Sequence, residues 1–175
     1  FETQRKNALN HRETLIFEPL LGKIARVIDA NNRTTNYQYD GFGRVTLQTA
    51  ASGSQVRTRY YECSANCPQD AVYLIREDAT GKAGKIDYFD ALGRVVRNQI
   101  SGFDGSAIYV DTQYNTRGEK VSVTDPYFSH ASPVSTQFDY DALQRLITRT
   151  EPGNRVTSTA YNGLETTITN DKNQN

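Results

Sequence analysis

The chain has 175 residues, with twenty basic and twenty acidic side chains that cancel to no formal net charge. That balance, without a long run of either sign, speaks against a nucleic-acid surface, and no apolar run approaches the length of a membrane span. Eleven Tyr and seven Phe, no Trp or Met, and 37% hydrophobic residues suit a sheet with one wet face; disordered chains are poor in aromatic and β-branched residues.

The chain opens on Phe1 and shows no signal peptide, which reads as a piece cut from a longer protein. Residues 1–12 are polar, though Asn7-Ala8-Leu9-Asn10-His11 faintly echoes a turn that recurs below. A strand is expected from Glu13 to Phe17 and another from Ile24 to Ile28, ended by the turn formers Asp29-Ala30-Asn31-Asn32. Arg33 to Tyr39 alternates, with Thr35, Tyr37 and Tyr39 on one face. After a short turn, Val45 and Leu47 oppose Thr46 and Gln48. A period of two on both sides of a short turn predicts a β-hairpin.

The same grammar continues downstream. Gln55 to Glu62 reads as a strand, and residues 63–84 are irregular, with an extra strand or short helix near Ala71 to Ile75. Strands are then predicted over Ile86–Phe89, Val95–Ile100, Ala107–Tyr114, Val121–Thr124, Thr136–Tyr140, Arg145–Thr150 and Val156–Tyr161. The pattern ends at Ile168, and residues 171–175 are expected to fray. No helical period survives, so the chain is predicted to be all-β, an antiparallel array of hairpins with no domain boundary. Two kinds of turn alternate, one motif-like and one of mixed Asp, Gly, Asn and Pro.

The motif is Tyr39-Asp40-Gly41-Phe42-Gly43-Arg44-Val45. It returns as Phe89-Asp90-Ala91-Leu92-Gly93-Arg94-Val95, as Tyr140-Asp141-Ala142-Leu143-Gln144-Arg145-Leu146, and in worn form around Tyr114 and Gly118. The leading aromatics lie 50, 25 and 26 residues apart, so the long gap hides one more unit, for which Tyr61 is the candidate. Tyr161 leads a further copy, and Glu18 to Ile24 keeps the glycine and the basic residue without the aromatic. About six units fill the chain, and a fixed period of this size marks a repeat array. Each position has a structural job: Asp accepts a backbone N–H, Gly takes φ > 0, and Arg44 is placed opposite Tyr39 so that the guanidinium lies over the ring. Gln144 either avoids φ > 0 or carries strain, and Glu119-Lys120 deprive the Tyr114 ring of its arginine.

These motifs resemble the YD repeats of Rhs proteins, over about residues 7–169. The phrases Tyr88-Phe89-Asp90-Ala91-Leu92-Gly93-Arg94 and Ser101-Gly102-Phe103-Asp104-Gly105 resemble the bacterial, secreted or toxin-complex members. The resemblance implies a strip of sheet that spirals into a hollow shell around a C-terminal toxin domain, at the cell surface or outside the cell. It implies as partners the other repeats and the toxin domain of the same parent protein. Neither a self-cleavage motif nor a toxin domain is evident, so the piece is expected to be wall rather than cargo.

No cofactor, metal or catalytic residue is expected. Cys63 and Cys67 lack enough companions for zinc, with His11 and His130 distant. A loop disulfide suits an exported protein and free thiols a cytoplasmic one; the sequence reading favours a reduced or conditionally formed pair. His130 lies near Ser129 and Ser132, but nothing marks an orienting acid or oxyanion hole. Asp40, Asp90 and Asp141 each supply one carboxylate per turn, too few for calcium. Exposed aromatics allow an alternative reading as an adhesion or glycan-binding segment, and open strand edges favour pairing between copies.

Overall fold

A computed structural model describes residues 3–171. Within them the chain is all-β, with sixteen strands in one open sheet whose order follows the sequence, β12 alone standing off the path against β10. The strands are β1 (Gln4–Lys6), β2 (Arg12–Phe17), β3 (Ile24–Ile28), β4 (Thr34–Tyr39), β5 (Val45–Thr49), β6 (Gln55–Glu62), β7 (Tyr73–Ala79) and β8 (Lys85–Phe89). They continue as β9 (Val95–Ser101), β10 (Ala107–Tyr114), β11 (Lys120–Thr124), β12 (Tyr127–Phe128), β13 (Ser135–Tyr140), β14 (Leu146–Glu151), β15 (Arg155–Asn162) and β16 (Glu165–Asn170). The expected antiparallel hairpin array is the architecture the chain adopts. Apart from Asp171, the tail expected over 171–175 lies outside the described residues.

Contacts gather the chain into two compact units, one running up to Tyr61 together with Ile75–Ile86, the other joining Glu62–Leu74 to everything from Asp87 on. In the first, Leu15 of β2 pairs with Val27 of β3, which pairs with Thr35 of β4. Leu15, 3% exposed, is the one buried apolar residue among those described. Stability therefore rests on half-buried cross-strand pairs, each worth about 0.2–1 kcal/mol, rather than on a thick core.

Within the stretch read as irregular, 63–84, the extra element expected near Ala71 to Ile75 is a strand, β7, which runs on to Ala79 through Arg76-Glu77-Asp78, where the period of two breaks. Its charges are tied down by Asp78, which takes Arg59 at 2.6 Å and Arg76 at 3.1 Å. In the second unit, Asp125-Pro126 interrupts the chain after β11. Proline has no N–H for a ladder, and beyond it β12 resumes pairing with β10 through Ile108↔Phe128 and Tyr109↔Tyr127.

One backbone turn serves most of the hairpins. At residues 40–44 the Gly43 N–H donates to the Asp40 carbonyl at 3.0 Å and the Asp40 N–H to the Arg44 carbonyl at 2.9 Å. Gly43 stands at φ 74°, and the register slips between Gln38 and Tyr39. This is a type I turn closed by a glycine bulge, which adds a residue and sharpens the local twist. The same pair of hydrogen bonds recurs at 7–11, 29–33, 50–54, 90–94, 102–106, 115–119 and 141–145. Turns of both kinds read from sequence thus share one backbone, whereas Glu151-Pro152-Gly153-Asn154 departs from it with Gly153 at φ 82° and Asn154 at φ 61°. Gln144 takes φ 64°, so the strained one of its two alternatives is real. Tyr161 leads a tighter turn, in which Asn162 pairs with Glu165 and Gly163 sits at φ 60°.

Candidate functional site, a ladder of clasps between repeats

Asp40 shows what the motif builds. Its Oδ1 accepts the N–H groups of Phe42 and Arg44, both at 3.0 Å, and its Oδ2 accepts Arg44 Nε at 2.7 Å. Asp90 repeats this, accepting Leu92 and Arg94 N–H at 2.9 Å and Arg94 Nε at 2.7 Å, and so does Asp141 with Leu143 and Arg145. A carboxylate fixed by backbone donors from the turn it caps holds its arginine flat against the sheet end.

The arginine does not cover the leading ring of its own motif, although Arg44 also lies 5.2 Å from the Phe42 ring at its turn tip. Arg44 lies over Tyr60 at 4.1 Å, Arg94 over Tyr114 at 4.5 Å and Arg145 over Tyr161 at 4.2 Å. The expected stack of Arg44 on Tyr39 is therefore corrected by one repeat. The bulge is the reason: it sets Tyr39 opposite Val45 and turns Arg44 toward the following strand. For the same reason Tyr114 keeps an arginine, Arg94. The ring facing the Glu119 position is Tyr140 instead.

Each tyrosine fastens itself a second time. Tyr39 donates its hydroxyl to the Ile24 carbonyl at 2.7 Å, Tyr60 to Val45 at 3.3 Å, Tyr114 to Val95 at 3.2 Å, Tyr140 to Lys120 at 2.9 Å and Tyr161 to Leu146 at 2.9 Å. Every acceptor is the residue that follows the basic position of the preceding motif, or Glu119 in its place. Ring, guanidinium and carboxylate thus form a clasp that joins one hairpin to the next. Neither the hydroxyl bond nor the offset was read from sequence, although tyrosine recurring where phenylalanine would pack equally well was its signal.

Two rings were assigned differently in the sequence. Tyr60 and not Tyr61 fills the hidden unit, since Tyr61 is 47% exposed while Tyr60 sits under Arg44. Phe17 pairs with Ile24 as Tyr39 does with Val45, so the upstream copy keeps its aromatic. A turn longer by one residue displaced the count there. Phe89, without a hydroxyl, stacks on Tyr73 at 4.8 Å with the planes 5° apart.

The glycines lie beneath these clasps. A Cβ on Gly43 would meet Lys23 at 3.5 Å, on Gly93 the Tyr73 hydroxyl at 3.6 Å, and on Gly118 the Arg94 guanidinium at 3.6 Å. Those are ordinary contacts, so φ and not space demands glycine.

The electrostatics follow the hydrogen bonds. The Arg44 N–H, and then its guanidinium, hold the Asp40 carboxyl below the usual carboxylate range against a smaller opposing effect of burial. The Arg145 N–H does the same for Asp141. At Asp90 burial is the largest influence and pushes upward, but the Arg94 N–H, its guanidinium and the Leu92 N–H together outweigh it. Asp90 is also the most enclosed of the three, at 6% exposure. Pro68, Gln69 and Asp70 of the loop before β7 border the same groove as Asp90.

That loop corrects the cysteine reading: Cys63 and Cys67 form a disulfide rather than a reduced pair. The five-residue ring replaces the tight turn after Tyr60, and the Cys63 N–H donates to the Val72 carbonyl at 2.9 Å to close the loop. His130 stacks on Phe128 at 5.7 Å. A second Asp–Arg–Tyr cluster, unseen in the sequence, sits away from the turns. Arg97 grips Asp111 at 2.5 and 2.7 Å, Tyr127 donates to Asp111 at 2.6 Å, and Arg97 covers the Tyr109 ring at 4.5 Å.

Residues 20–55 match the family model for the RHS repeat, a stretch that holds β3 to β5 and the Asp40–Arg44 clasp. That stretch is thus similar to the RHS repeat. No curated protein matches it.

Proposed function

We propose, from the similarity of residues 20–55 to the RHS repeat and the ladder around them, that this chain is a length of structural wall in an Rhs/YD-repeat protein. In this reading the wall encloses a toxic C-terminal domain of the same polypeptide and helps deliver it, outside the cell or at its surface. The observation that carries the reading is the clasp itself. Its carboxylates, guanidiniums and hydroxyls are spent on joining neighbouring hairpins, which is the work of a scaffold and leaves the same groups unavailable for catalysis. We assign the chain no enzymatic role.

The adhesion alternative needs bare aromatic platforms. Tyr60, Tyr114 and Tyr161 each have one ring face under a guanidinium, which removes that face from stacking on a sugar. β1 and β16 end the strand order of the sheet, and the edge of an open sheet favours pairing with another chain. Association between copies of the chain is therefore expected to rise with concentration in light scattering.

The test of the wall reading is limited proteolysis of the intact polypeptide that holds these repeats. Its C-terminal domain should resist a protease that cuts the same domain made alone. Replacing Arg44, Arg94 and Arg145 together by Ala should expose it. Equal cleavage with and without the repeats would defeat the proposal.

A further inference from the structure

One clasp is built with the charge reversed. At 115–119 the acceptor is Asn115, whose Oδ1 takes the Arg117 and Glu119 N–H groups at 2.9 and 3.0 Å, as the aspartates do elsewhere. Where the three complete clasps place arginine, this one places Glu119. The next ring, Tyr140, still donates its hydroxyl to the following carbonyl, Lys120, at 2.9 Å, so it keeps the place that Tyr60, Tyr114 and Tyr161 hold in their clasps. Among the described residues no guanidinium lies over it.

Glu119 is almost wholly enclosed, with 7% of its side chain exposed. Its Oε2 is satisfied, by Asn115 Nδ2 at 2.5 Å and Arg117 Nη2 at 2.9 Å. Its Oε1 is buried and has no hydrogen-bond partner. A buried carboxylate oxygen without a donor is costly, and such atoms in native proteins answer to a bound ion, a water or another donor. Arg117, 45% exposed, comes from the turn tip and reaches only one of the two oxygens.

We propose that this fourth clasp is a receptor for a guanidinium group, the arginine side chain of a partner protein, which enters between Glu119 Oε1 and the Tyr140 ring as Arg117 swings aside. The three complete clasps set the chemistry, since each holds a guanidinium between a carboxylate and a ring. A planar, delocalised cation satisfies both at once, by hydrogen bonds to the oxygen and stacking on the ring. A metal ion is a poorer fit, because no group of three or more His, Cys, Asp or Glu converges among the described residues. The sign of the reversal also matters: an arginine at 119 would cover the Tyr140 ring from within the chain, while a glutamate leaves Oε1 without a donor, even though Arg117 serves Oε2 and reaches the Asp141 carbonyl at 3.5 Å.

The test uses the whole chain with labelled tyrosine rings, titrated with acetyl-arginine amide and, as neutral isostere, acetyl-citrulline amide. The Tyr140 ring resonance should shift saturably with the arginine probe and not with the citrulline probe. Glu119→Gln should weaken that binding at least about tenfold, the scale of a lost charge-assisted hydrogen bond. Arg117→Ala should tighten it, because the internal competitor is gone; a purely structural Arg117–Glu119 pair predicts no such gain. The pair Asn115→Asp with Glu119→Arg should complete the clasp internally, raise the melting temperature and abolish the probe's effect. A Tyr140 response that is linear in probe, equal for citrulline, or unchanged in Glu119→Gln overturns the proposal.

Discussion

Gly93 and Gln144 occupy the same place in their turns, with φ at 75° and 64°. Glycine enters this region freely, whereas a side chain there costs about 1 kcal/mol or more. Gly93→Val should destabilise the chain by about 1–3 kcal/mol, because β-branching is worst at positive φ. Gln144→Gly should stabilise it by up to about 1 kcal/mol, and urea denaturation of both variants checks the opposite signs. Arginine losses should be graded by enclosure. Arg94→Ala strands an aspartate that is 6% exposed and should cost about 1–3 kcal/mol. Arg44→Ala strands a carboxylate at 22% exposure, reached by water, and should cost less. Equal melting shifts for the two arginine variants would show that enclosure does not set the energy.

The hairpin is the element that repeats, and its turn accounts for most of what the sequence disclosed. Tyr-Asp-x-x-Gly-Arg states an acceptor, a positive-φ residue and two strand ends within six letters, so the turns at 40–43, 90–93, 115–118 and 141–144 were legible. The partner of each arginine was not. Counting across a turn assumes a plain ladder, and a single bulge residue passes Arg44 to Tyr60. β7 was half legible, as a strand or a short helix near Ala71 to Ile75; its Arg76-Glu77-Asp78 run has no period, and nothing in the sequence signals that Asp78 pairs with both Arg76 and Arg59 of the neighbouring strand. The disulfide was likewise undetermined, since two cysteines four apart fit either redox state. Its ring is short, so loop entropy gives it about 2 kcal/mol. Cys63→Ser with Cys67→Ser should lower the melting temperature accordingly, with faster hydrogen exchange concentrated at residues 62–72.

Across the whole molecule, stability should follow the carboxylates and phenols. Asp40, Asp78, Asp90, Asp104, Asp111 and Asp141 all have carboxyls held below the ordinary value of 3.8. A group whose folded pKa is depressed contributes stability above its unfolded pKa and loses it as pH falls through the folded one. The melting temperature should therefore hold steady near neutrality and decline below about pH 4. Tyr39, Tyr88, Tyr127 and Tyr140 are shifted above 10.0, chiefly by burial, so their contribution is present at lower pH and is lost as pH climbs beyond that value. Replacing Asp90 by Asn should flatten part of the acid limb; a limb unmoved by that change would assign acid sensitivity elsewhere. With Leu15 the one buried apolar residue among those described, the energy is distributed over neighbour-to-neighbour terms, as in other repeat chains.

The one-repeat offset of the arginine gives a complete unit, such as the one led by Tyr39, a plug on one side and a socket on the other. Arg44 is presented forward to Tyr60, while Tyr39 reaches back to Ile24. Because a complete unit brings both halves, duplicating or deleting one leaves its new neighbours able to mate. Such a chain can change length by whole units during evolution without redesigning a joint. A unit turned end for end would find two plugs or two sockets facing each other, so the joint also dictates one direction of stacking.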